Sequence, residues 1–157
     1  MSTASPIIRV LTANDDAGIA SVIRLVSAEY GLTPDKGFSV ADKTLDILSQ
    51  EYSSDRACYW VIELDGKIIG GAGVAPLAGQ TSICELQKMY FLPETRGKGI
   101  GSEMMAICLQ SAREFGFEKC YLETMPFMHA AQKLYKKSGF DYLDAPMGCT
   151  GHTSCPV

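Results

Sequence analysis

The stretch Leu92–Met105, LPETRGKGIGSEMM, sets glycines at 97, 99 and 101 immediately before an apolar pattern of helical period. A helix N-terminus carries N–H groups with no partner inside the helix and the positive end of the helix dipole. Glycines there let an anion approach the backbone, so the segment reads as a pyrophosphate cradle. Arg96, Lys98 and the Ser102 hydroxyl add further donors. Two familiar cradles do not fit. The P-loop pattern G-x-x-x-x-G-K-S/T is absent, because Lys98 lies inside the glycine run. The dinucleotide fingerprint G-x-G-x-x-G is absent too: the spacing is G-x-G-x-G, and the strand before it belongs to an antiparallel meander. The glycines alone are equally compatible with a turn that packs a helix tightly on a strand.

A second constellation lies at the C-terminus, where Cys149, His152 and Cys155 read C-x-x-H-x-x-C. Zinc takes such ligands, but a closed structural site needs four, and the remaining histidine is His129. The segment therefore reads as a loop, with no metal expected and with His152 near an acceptor pocket. The other cysteines, Cys58, Cys84, Cys108 and Cys120, fall inside apolar runs without regular spacing. They read as small buried hydrophobes in a reducing, cytoplasmic compartment.

These groups need a scaffold, and the chain is long enough for one. Its 157 residues, 46% hydrophobic and 20% charged, predict a single globular domain over residues 1–157. No uncharged apolar run has the length of a membrane span, and the N-terminus lacks the pattern of a signal peptide. A net charge of −4 argues against a nucleic-acid partner and suits a cationic substrate.

Ile7–Leu11 predicts a strand. Ile19, Val22, Ile23 and Val26 mark one face of a helix, and a second helix is expected over Ala41–Tyr52 with Leu45 and Leu48 inward. Ala57–Leu64, Lys67–Leu77 and Ser82–Leu92 read as an antiparallel meander, the first turn being Asp65-Gly66. A helix follows with Ile100, Met104, Ile107, Ser111 and Phe115 on one face. Then come a strand over Glu118–Thr124, a helix starting at Pro126 and stopped by Gly139, and a strand Phe140–Leu143. This order predicts an α+β domain around a mixed sheet, with the strand–helix–strand of Ser82–Thr124 forming a parallel crossover.

Arg96-Gly97-Lys98-Gly99-Ile100-Gly101 resembles the Arg/Gln-x-x-Gly-x-Gly/Ala motif of the GNAT superfamily of acyl-CoA-dependent N-acyltransferases. The approach ELQKMYFLPETRGKGIG is similar to the family's fourth strand and pyrophosphate loop. The segment AAQKLYKKSGF resembles its later A-x-x-L-Y-x-K-x-G-F helix. The two motifs stand in the family's order and at its separation. The resemblance spans about Ile7 to Leu143 and is specific over Glu85–Gly101 and Ala131–Phe140.

The resemblance implies a mostly antiparallel sheet flanked by helices, with splayed central strands and acetyl-CoA as co-substrate. The backbone of Met89, Tyr90 and Phe91 would pair with the pantetheine arm, and N–H groups from Arg96, Gly97, Lys98, Gly99, Ile100, Gly101 and Ser102 would hold the pyrophosphate. Glu85 is the first choice for general base, with Glu123 in reserve. Tyr135 would donate a proton to the departing CoA thiolate, as a phenol of pKa about 10 can toward a thiolate whose acid titrates near about 8.5. Where relatives often carry an asparagine on pantetheine, this chain has Met128.

The function expected is N-acetyl transfer from acetyl-CoA to a primary amine, on a small molecule or a protein, by direct attack. A non-catalytic acyl-CoA sensor would keep the cradle without needing Glu85 or Tyr135. A purely structural interaction domain would need neither. No membrane partner is expected, and a sheet edge left open by the short C-terminus would favour a homodimer.

Overall fold

The computed structural model of the chain describes residues 5–31, 43–77, 79–96, 98–123 and 129–143. Its frame is a five-stranded sheet in the order β1-β2-β3-β4-β5, built from Ile7–Val10 (β1), Cys58–Leu64 (β2), Lys67–Pro76 (β3), Ile83–Phe91 (β4) and Lys119–Tyr121 (β5). The first four strands run antiparallel to their neighbours, and β5 runs parallel to β4. The Asp65-Gly66 turn closes as expected, with both residues at positive φ, 53° and 78°. That is the twist a two-residue hairpin needs.

Helix α1 (Asp16–Glu29) buries Ile19, Val22, Ile23 and Val26, the face predicted from their spacing, and packs on β3 and β4. The next segment differs from expectation. Ala41 and Asp42 lie outside the described residues; among those described, Lys43–Ile47 is a 3-10 turn and only Leu48–Glu51 is α-helical (α2), although Leu45 and Leu48 are fully buried as predicted. β-Branched Thr44 and Ile47 and the short polar Asp46 give this stretch weak helical preference, and the two leucines anchor it instead.

Helix α3 (Ile100–Glu114) connects β4 to β5, supplying the expected crossover between parallel strands. Its inner face is rotated from the predicted one. Ile100, Met104, Met105, Cys108 and Ala112 are buried, whereas Ile107, Ser111 and Phe115 are half-buried. Steps of four residues follow the helix period as well as the predicted spacing did, and small Cys108 and Ala112 allow close approach to the sheet. Cys84 of β4 sits with Ala112 and Phe117.

Helix α4 is described over His129–Lys137, and Pro126, its predicted start, lies outside the described residues. Its end matches expectation: Gly139 has φ 101°. The predicted strand Phe140–Leu143 is not formed. This segment runs past β5, and residues of both line a cavity of about 470 Å³. Strand β5 pairs through only three residues, so it offers too short a ladder to order the segment as a sixth strand.

Candidate active site

The geometry begins with a defect in β4. Between the pairs Gly71↔Tyr90 and Gly73↔Gln87 the register advances two residues on β3 and three on β4. Lys88, at φ 48°, is the point of this bulge. A bulge bends its strand and raises the local twist. It is held by Tyr59, whose hydroxyl donates to the Lys88 carbonyl at 2.7 Å. Room for the Tyr59 ring comes from β3. A Cβ on Gly71 would meet Tyr59 Cε1 at 2.6 Å, and one on Gly73 would meet Tyr59 Cδ2 at 2.6 Å. Gly71 and Gly73 of β3 thus make room for the buried Tyr59 ring.

On its other edge, among the described residues, β4 pairs with β5 only over Ile83↔Lys119, Cys84↔Cys120 and Glu85↔Tyr121. From Leu86 to Phe91 strand β4 continues beyond the pairing with β5. Met89, Tyr90 and Phe91, the residues expected to meet a pantetheine arm, occupy the last three positions of that stretch, and all are half-buried.

The chain then turns through a 3-10 segment, Pro93–Thr95, into α3. Gly99 is the N-cap at φ 77°, a left-handed conformation that side chains resist. A Cβ there would meet nothing within 4 Å, so conformation rather than space requires glycine. The helix ladder opens with Glu103 N–H donating to the Gly99 carbonyl, which places the N–H groups of Ile100, Gly101 and Ser102 in the first turn. Gly101 serves packing as well: its Cβ would stand 3.2 Å from Leu134 of α4. Lys98 is exposed at the cradle, and Gly97 lies outside the described residues. The Arg96 side chain is turned elsewhere. Its guanidinium grips Glu29 of α1 through two bonds of 2.7 and 2.8 Å and also donates to the Phe91 carbonyl. From Arg96 the cradle therefore draws at most the backbone.

Glu85 is buried, at 9% exposure, on the face of β4 that meets the segment after α2. Gln87 Nε2 donates to Glu85 Oε1 at 2.7 Å, and the Tyr52 hydroxyl donates to Gln87 Oε1 at 2.6 Å. The reserve carboxylate, Glu123, accepts from the Tyr121 hydroxyl at 2.6 Å. Tyr121 is the register partner of Glu85, so Glu123 bonds the residue that pairs with Glu85 where the strands part.

Tyr135 lies in α4, half-buried, with burial pushing its phenol well above its ordinary pKa and neighbouring Tyr90 adding to the effect. The phenol thus stays protonated at neutral pH. Its place is set by the helix end: Phe140 N–H donates to the Tyr135 carbonyl and Gly139 N–H to the Lys136 carbonyl, while the rings of Tyr135 and Phe140 meet edge-on at 6.1 Å. This paired closure with an apolar contact across it is the usual glycine-terminated helix end.

Sequence reasoning did not identify Tyr52, Tyr59 or Gln87. The Gly70-Gly71-Ala72-Gly73 run was the available signal, since small residues inside a strand mark a close approach. Met128, Cys149, His152 and Cys155 lie outside the described residues.

The chain has clear relatives. The family model described as the acetyltransferase (GNAT) family matches residues 22–140. The uncharacterized N-acetyltransferase YjgM of Escherichia coli (strain K12) is 54% identical over 154 residues, covering 98% of this chain and 92% of the relative. The probable N-acetyltransferase camello of Xenopus tropicalis is 34% identical over 96 residues, 61% of this chain and 44% of that protein. Among solved structures, a GNAT-family acetyltransferase from Staphylococcus aureus superposes with a TM-score of 0.79 at 18% identity, covering 90% of this chain and 89% of that one. A predicted acetyltransferase from Clostridium acetobutylicum, solved with acetyl-CoA, superposes at 0.76 and 19% identity, covering 93% and 96%.

Proposed function

The chain belongs to the acetyltransferase (GNAT) family, and from that premise we propose how its residues carry an acetyl group from acetyl-CoA to a primary amine. The observation that carries the proposal is the parting of β4 from β5 after Glu85, beside a helix N-terminus capped by left-handed Gly99. The backbone of Met89, Tyr90 and Phe91 takes the pantetheine arm as a further strand would be taken. The first-turn N–H groups of α3, with Lys98 beside them, take the pyrophosphate.

Acetyl-CoA brings an activated thioester, so the chain supplies position and protons. Glu85 removes a proton from the substrate ammonium. The freed amine attacks the thioester carbonyl, the C–N bond forms, the C–S bond breaks, and the nitrogen loses its second proton to solvent as the neutral amide forms, solvent later returning a proton to Tyr135. Tyr135 gives its proton to the leaving thiolate, which departs as the thiol of CoA. Glu123 stands by as the second carboxylate.

The acceptor is a small-molecule amine or an amine on a protein, drawn to an acidic chain of net charge −4. The compartment is the cytoplasm, a reading supported by the free thiols of Cys58, Cys84, Cys108 and Cys120. No helix among the described residues is long and apolar enough to cross a membrane.

Calorimetric titration with acetyl-CoA tests the cradle, and thiol release across a panel of primary amines tests the reaction. We expect one-to-one saturable binding and turnover that drops in Tyr135→Phe. A folded sample that binds no acetyl-CoA would leave the glycines a packing role only. Binding without turnover on any amine, unchanged in Tyr135→Phe, would favour an acyl-CoA sensor.

A further inference from the structure

Glu85 is held by a neighbour on its own strand, Gln87, which is itself held from outside β4 by Tyr52. Its carboxylate oxygen can only accept, so the Gln87 atom facing it at 2.7 Å is the amide nitrogen. The atom facing Tyr52 at 2.6 Å is then the amide oxygen, and the phenol must donate. One hydroxyl thereby fixes which way the amide points. We propose that Gln87, oriented by Tyr52, is a positioning residue for Glu85, tying the base to the segment that ends α2. This rests on the reading of Glu85 as the base.

The arrangement is built rather than incidental. Tyr52 caps α2 with its N–H on the Leu48 carbonyl, and Leu48 is fully buried. Its ring lies 5.2 Å from that of Tyr59, centroid to centroid. Gly73 of β3 makes room for both tyrosines, since a Cβ there would meet Tyr52 Cε1 at 2.9 Å. Tyr52 and Tyr59 hold consecutive residues of β4, the first by the Gln87 side chain and the second by the Lys88 carbonyl. The bulge that opens the strand and the group that holds the carboxylate thus share one aromatic support.

The pair holds the base but does not conduct its proton. An amide passes a proton only by becoming an imidic acid, so the proton taken up by Glu85 does not continue to Tyr52. Donation from Gln87 favours the charged carboxylate, and a fixed amide aims it. Among the described residues, the titratable groups on the elements beside Glu85 include Tyr52, which bonds Gln87, Tyr121, its register partner on β5, and Glu123, which accepts from Tyr121. Their contributions persist when Gln87 is changed.

The test is carbon-13 NMR titration of the full chain with labelled glutamate carboxyls, Glu85 being assigned by its loss in Glu85→Gln. Gln87→Leu should raise the Glu85 midpoint by about one pH unit, the weight of one hydrogen bond to a charged group. Tyr52→Phe should raise it less, because the amide is retained but free to turn. Calorimetric acetyl-CoA affinity within about twofold of wild type would show that each variant keeps the fold, a margin well inside the tenfold that 1.4 kcal/mol represents. Unmoved midpoints in both folded variants would overturn the positioning role and leave the base reading intact. Full thiol release by Glu85→Gln, on the amine the panel identifies, would remove the base reading instead.

Discussion

At the scale of single residues, Tyr135 and Glu85 are placed by different devices. Tyr135 is set by a helix end, whose glycine and carbonyl bonds fix the last turn of α4. Glu85 is set by Gln87 of its own strand, which Tyr52 from the end of α2 orients. Removing the Tyr135 hydroxyl should therefore leave the scaffold unchanged. Tyr135→Phe is expected to lower kcat by about 10²-fold, the lower range for a positioned acid, with acetyl-CoA affinity unchanged by calorimetry. Equal loss of affinity would mean that the hydroxyl holds cofactor rather than supplying a proton. Asp15 provides the pH-sensitive counterpart. Bonds from Arg9 at 2.7 and 2.8 Å hold its carboxyl down at about 2, below the ordinary carboxylate range, with Thr12 also donating. A folded pKa below the unfolded one stabilises the fold above about pH 4, and that stability is lost as pH falls toward about 2. The contribution is about 2 kcal/mol. Asp15→Asn should lose it at pH 7 and show a flatter acid limb in denaturant melts between about pH 4 and pH 2.

At the scale of elements, glycines decide the site for two distinct reasons. Gly99 is needed for its backbone angle, with open space around it; Gly71 is needed for space. Gly99→Ala should destabilise by about 1–2 kcal/mol, the cost of a side chain in the left-handed region, and weaken acetyl-CoA binding by distorting the first turn of α3. Gly71→Ala should act on the sheet instead. Its Cβ would stand 2.6 Å from Tyr59 and 2.8 Å from Ile19, which calls for repacking worth about 1–3 kcal/mol in chemical melts. Should Gly99→Ala prove neutral in both stability and binding, the helix N-terminus would not be the cradle.

At the scale of the whole molecule, the site depends on a sheet that is held on one side and released on the other. Strands β2, β3 and β4 pair along their length, whereas β4 and β5 share three register pairs. Arg96 and Glu29 link the turn after β4 to the end of α1, so the β4 flank of the parted strands is tied to the N-terminal helix. Hydrogen exchange should show β2 and β3 protected longest and β5 exchanging first. Acetyl-CoA at about 100 times its Kd should stabilise the fold by about 2.7 kcal/mol, read as a rise in Tm. Slower exchange on binding should concentrate in β4 and the first turn of α3, and protection confined to β1 would place the cofactor elsewhere.

The elements that were legible in the sequence are those set by local preference. The hairpin at Asp65-Gly66, the buried stripe of α1 and the glycine end of α4 each follow from a few adjacent residues, because turn angles and helix period are local properties. The family motif at 96–101 was legible for the same reason: it encodes a backbone conformation, left-handed at Gly99. Three features required the folded chain. The inner face of α3 was chosen by the close fit of Cys108 and Ala112 rather than by periodicity, which several stripes satisfied. Phe140–Leu143 has strand-forming residues, yet β5 gives it only a three-residue neighbour. The support of Glu85 joins residues 52, 59, 73, 85 and 87, whose proximity depends on the register of three strands and the end of α2. The motifs at 96–101 and 131–140 thus carried the family resemblance that implied the reaction, whereas the side-chain contacts around Glu85 came only with the fold, which brings Tyr52 to Gln87 from a segment remote in sequence.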